Sequence, residues 1–91
     1  MIAPPDPELE TAAQEELQTA CSMTWAQLSR VMPWGDSWEG FGPHGGPVQF
    51  ERNYLWVDKE GGDILCEVRV YRGASRYDRG AVASRVIAKP D

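Results

Sequence analysis

Ninety-one residues suffice for one domain with one modest hydrophobic core. Fourteen acids against nine bases leave a formal net charge of −5, and 42% apolar with 25% charged residues is a globular rather than a disordered composition. The longest apolar run, Tyr54-Leu55-Trp56-Val57, falls far short of the roughly 20 residues that a membrane-spanning helix needs. The start, Met1-Ile2-Ala3-Pro4-Pro5-Asp6, lacks the basic and apolar stretches of a secretory signal. These features argue against a membrane protein, a multidomain enzyme and a disulfide-rich secreted scaffold, and the expectation is a single cytoplasmic domain over residues 1–91.

The first element is helical. Asp6-Pro7-Glu8 supplies an N-cap aspartate, a proline at the first helical position and acids where the helix dipole is positive. Leu9, Ala13, Leu17, Ala20 and Cys21 then recur at helical spacing as one narrow apolar stripe. Few of these side chains are bulky, so residues 1–22 read as an acidic helix with a light grip on the core. A second helical pattern covers residues 24–32, where Thr24 and Gln27 have capping-box spacing and Pro33 ends the run. The apolar series continues through Trp25, Leu28 and Met32, which favours one long or kinked helix, whereas the local cap favours two short ones.

After Pro33 the period changes to two. Residues 34–41 read as a short strand or an ordered loop, and Pro43-His44-Gly45-Gly46-Pro47 as a turn. Residues 48–57 predict a strand, and Asp58-Lys59-Glu60-Gly61-Gly62-Asp63 a second turn. Residues 64–71 are the clearest strand, with Ile64, Cys66, Val68 and Val70 on one face and Glu67 and Arg69 on the other. A last strand is expected over residues 77–87, interrupted near Gly80. The short connections force antiparallel pairing. The expected fold is therefore α+β, with a helical N-terminus packed on a three- or four-stranded antiparallel meander over residues 34–91.

Little of this chain carries recognisable chemistry. Cys66 has the parity of the apolar residues of its strand and reads as a buried thiol, and no metal site or cofactor is implied by two isolated cysteines and one histidine. A Cys21/His44 nucleophile pair is disfavoured because no lysine or arginine lies within eight residues of Cys21. Asp36 and Glu39 alternate with Trp34, Trp38 and Phe41, a mixture suited to an interface or to a stacked sugar ligand.

Charge is distributed unevenly. Residues 1–22 hold Asp6, Glu8, Glu10, Glu15 and Glu16 and no base, which equals the entire net charge. Residues 64–91 lean basic, with Arg69, Arg72, Arg76, Arg79, Arg85 and Lys89 against Glu67, Asp78 and Asp91. Helical spacing places Glu8, Glu15 and Glu16 on one side, where they could contact a basic partner. The alternative is a nucleic-acid accessory face built from Arg69, Arg72, Arg76 and Arg79 beside Tyr71 and Tyr77, opposed by the net negative charge. A third reading is a small carbohydrate- or ligand-binding module on Trp34, Trp38 and Asp36.

The compact size, the acidic segment at residues 6–16, the helix-then-strands order and the lack of a catalytic constellation give the chain a general character that resembles the small acidic anti-CRISPR proteins of phages and mobile elements. The resemblance implies a non-enzymatic, stoichiometric inhibitor that occupies a protein surface meant for nucleic acid. The partner expected is thus a protein or complex with a basic surface, contacted through Glu8, Glu15 and Glu16 and through Trp34, Asp36, Trp38 and Glu39.

Overall fold

Two helices precede four strands: α1 (Pro7–Ala20), α2 (Trp25–Ser29), β1 (Trp34–Phe41), β2 (Pro47–Trp56), β3 (Ile64–Tyr71) and β4 (Gly80–Ile87). The computed structural model describes residues 7–42, 45–72 and 80–90, so the Asp6 cap lies outside the described residues. The strands form one open antiparallel sheet in the order β1-β2-β3-β4. The fold is the expected α+β arrangement with four strands.

The helical region resolves as two elements. The backbone turns after Ala20, where the Ser22 N–H and hydroxyl both donate to the Thr19 carbonyl at 3.1 and 2.7 Å. A new helix then starts with a reciprocal capping box: the Gln27 N–H donates to Thr24 Oγ1 at 3.2 Å, and the Thr24 N–H donates to Gln27 Oε1 at 2.9 Å. The side chains of Thr24 and Gln27 thus satisfy donors that a helix start leaves orphaned. Trp25 anchors this short helix, donating Nε1–H to the Gly62 carbonyl at 2.9 Å and packing on Trp56 with ring centroids 6.5 Å apart.

Turn chemistry sets the strand order. Gly61 has φ +86° in the β2–β3 turn, a left-handed conformation that L side chains rarely adopt. That turn is closed by the Gly62 N–H donating to the Lys59 carbonyl and the Val57 N–H donating to the Asp63 carbonyl, both at 3.0 Å. Residues 34–41, where strand and loop were both open, form a full eight-residue strand paired with β2 from Trp34↔Tyr54 to Phe41↔Pro47.

One face of the sheet is covered. Val48, Phe50 and Tyr54 from β2, Ile64, Cys66, Val68 and Val70 from β3, and Ala81 and Ala83 from β4 are buried on it. From α1, Leu9, Ala12, Ala13, Leu17 and Ala20 pack against β3 and β4. These are five of the fifteen buried apolar residues among those described, which corrects the expectation of a light grip. Buried alanines on both α1 and β4 are short enough to let the helix approach the sheet closely, and burying Leu9 and Leu17 contributes about 1.5–3 kcal/mol apiece. The Tyr54 hydroxyl donates to the Ala20 carbonyl at 2.7 Å, tying the end of α1 to β2.

Candidate interface

The structure separates the acids of α1 into two groups. Glu8 pairs with Arg72 at 3.0 Å and Glu16 with Arg52 at 3.7 Å, and both carboxylates are largely covered. Glu15 is exposed. The expected trio of Glu8, Glu15 and Glu16 is therefore not one exposed face, because two of its members turn toward arginines, Arg52 of β2 and Arg72 just past β3. Glu10 is exposed as well. Glu10 and Glu15 line a shallow groove of about 560 Å³ with Thr11, Gln14 and Gln18 of α1 and with Val82 of β4.

The aromatic and acidic segment is distributed differently from expectation. Trp34 stacks on Tyr54 and Trp38 on Phe50, each with centroids 5.4 Å apart, so both indoles are committed to the covered face. Between them, opposite Asp36 in the register, Arg52 lays its guanidinium over both rings, at 4.9 Å from the Trp34 centroid and 5.3 Å from the Trp38 centroid. Arg52 Nε is buried with no hydrogen-bond partner among the described residues. The charge is held instead by two π faces and by Glu16, an arrangement that desolvation strengthens. Sequence reasoning missed Arg52. Its signal was the period-two parity that it shares with Phe50 and Tyr54. Asp36 and Glu39 are exposed, with Asp36 accepting from the Ser37 N–H at 2.9 Å and Glu39 from Gln49 Nε2 at 3.5 Å. Phe41 is 73% exposed.

Of the four arginines expected to form a nucleic-acid face, the two that are described are engaged. Arg69 donates from Nε to Glu67 at 3.1 Å, and Arg72 holds Glu8. Arg76, Arg79, Tyr77 and His44 lie outside the described residues. Among the described residues no group of three or more metal-ligating side chains comes together.

Cys21 and Cys66 are both free, and Cys66 is fully buried, as its parity predicted. Burial first, and the neighbouring Cys21 second, push the Cys66 thiol up to about 12. Burial first, and the adjacent Cys66 second, likewise push the Tyr54 phenol up to about 12. Both groups stay protonated at neutral pH and pack within the buried cluster.

The two sheet edges differ. β1 carries Asp36 and Glu39 and two glycines, the kind of edge that resists pairing. β4 reads Gly-Ala-Val-Ala-Ser-Arg-Val-Ile, with one charge, Arg85, and with Val82 and Val86 each about half exposed. On the uncovered face, Val86 also lies in register with Leu65 and Leu55, making an apolar row across three strands. No described helix is long and apolar enough to cross a membrane. No protein-family model, curated protein or solved structure matches the chain.

Proposed function

We propose that this protein is a non-enzymatic protein-binding domain whose acidic helix engages a basic partner surface. The observation that carries the reading is the division of charge along α1. Glu8 and Glu16 are neutralised by Arg72 and Arg52, while Glu10 and Glu15 project beside the β4 edge on a helix that has no base. Two exposed carboxylates on a rigid, well-packed helix steer association with a cationic surface at little conformational cost. Proteins that handle nucleic acid present such surfaces, and a stoichiometric inhibitor of a complex of that kind is the form of the function favoured here.

The test compares wild type with the Glu10→Lys/Glu15→Lys double variant. Each is immobilised and challenged with a nuclease-treated lysate. Wild type should retain a partner that elutes as salt is raised, and the variant should lose it while unfolding at the same temperature. Equal retention by both proteins would sink the reading.

A further inference from the structure

The β4 edge has the physical requirements of a strand-acceptor site, and three separate observations converge there. The first is topological: β4 ends the sheet, so alternate residues of Gly80–Ile87 direct backbone N–H and C=O groups away from β3 with no strand among the described residues to receive them. The second is side-chain chemistry. Unlike β1, this edge carries no acid and no glycine after Gly80, and it holds the β-branched Val82, Val86 and Ile87. The third is the adjoining wall. α1 runs beside β4 and leaves the groove lined by Glu10, Gln14, Glu15 and Val82, so that a strand entering there would lie between a helix and a sheet edge.

We infer that the β4 edge receives an extended, basic segment of a partner protein as a fifth strand. This rests on the protein-binding reading above and names the mode of contact. An extended segment presents side chains alternately to two faces. Those on the helix side meet Glu10 and Glu15, and call for lysine or arginine. Those on the other side lie beside the half-exposed Val82 and Val86, the second of which continues the apolar row of Leu65 and Leu55, and call for small or β-branched apolar residues. The preferred segment therefore alternates basic and apolar positions over about the eight residues of β4. Arg85 is exposed on the helix side of β4, so the basic positions belong beside Glu10 and Glu15 and not beside Arg85. Charge also selects against a second copy of this chain as the occupant. β4-to-β4 pairing would set two α1 helices side by side, each carrying four acids and no base.

The probe is a synthetic peptide of alternating lysine and valine, eight residues long, titrated into the full isotopically labelled chain at moderate salt. A second peptide of the same sequence is N-methylated at every backbone amide, which keeps its charge and removes its N–H donors. The unmethylated peptide should bind roughly tenfold or more tightly than the methylated one, because strand pairing requires those donors. It should also slow hydrogen exchange at alternate amides of β4 and leave β1 unchanged. Equal affinity for the two peptides, protection located away from β4, or no binding of either would overturn strand addition. A concentration-dependent dimer that neither peptide competes away would overturn it in favour of a second copy. If both peptides bind equally and Glu10→Lys/Glu15→Lys abolishes both, the acidic contact stands and only the added strand falls.

Discussion

On the covered face of the sheet, small side chains lie under α1 at β4, whereas large flat ones lie beside it at β1 and β2. Ala81 and Ala83 of β4 and Ala12, Ala13 and Ala20 of α1 are all buried where the helix packs on β3 and β4, and such short side chains let a helix settle close to the strands. At β1 and β2 the stacked pairs Trp34–Tyr54 and Trp38–Phe50 exclude water by themselves, with Arg52 across the two indoles. The difference also governs charge. The acid that α1 turns toward the aromatic half, Glu16, meets Arg52, whereas the acids that line the β4 groove meet no arginine among the described residues. Packing size thus decides where the helix lies, and the position of the helix decides which carboxylates are left for a partner.

Substitutions that break the comparison rank by how much buried structure each disturbs. Leu9→Ala removes a fully buried anchor of the helix half and should cost about 2–5 kcal/mol in denaturant unfolding. Ala83→Leu keeps the apolar character but denies the helix its close approach, and should cost about 1–3 kcal/mol. Tyr54→Phe leaves the Ala20 carbonyl without its donor, at about 1–3 kcal/mol by the same measurement. Arg52→Met keeps much of the apolar stem over the indoles and deletes the cation; it should cost about 1 kcal/mol or less, and a double-mutant cycle with Glu16→Gln should report a smaller coupling still.

Alkaline titration tests the junction between the halves. Tyr54 and Cys66 are held protonated in the fold, raised from ordinary values of 10.0 and 9.0 to about 12. The unfolded chain therefore releases these protons first as pH rises. Their contribution to stability is complete below about pH 9 and is lost progressively toward pH 12. Melting temperatures should fall across that window, and Tyr54→Phe should make the fall shallower. A wild-type melting temperature that stays flat to pH 12 would contradict the burial of these two groups.

The helix half was largely legible in the sequence, because Leu9, Ala13, Leu17 and Ala20 recur at a single period and Thr24 with Gln27 form a cap within four residues. β3 was legible for the same reason, since Cys66, Val68 and Val70 alternate with Glu67 and Arg69 and only Leu65 departs from the pattern. β1 was ambiguous, since Gly35 and Gly40 weaken any strand signal and its pairing with β2 is a tertiary fact. The candidate site was less legible than the fold. Periodicity placed Glu8 and Glu16 on the surface but carried no information on Arg72, just past β3, and Arg52 of β2, which arrive from far along the chain and neutralise them. Alanine was likewise undervalued as an anchor, because its worth depends on what stands opposite.

Each strand of this sheet pairs with its sequence neighbour, but α1 packs on the last two strands, at the opposite end of the described chain. Consecutive hairpins close short loops at low entropic cost, whereas docking of α1 on β3 and β4 closes a long stretch of chain. In kinetic terms the helix is a late clamp and the meander an early scaffold. Leu9→Ala and Leu17→Ala should therefore speed unfolding and leave the folding rate nearly unchanged, while Val68→Ala in β3 slows folding. The acidic helix that presents the contact surface is by this reasoning also what keeps the folded chain from reopening.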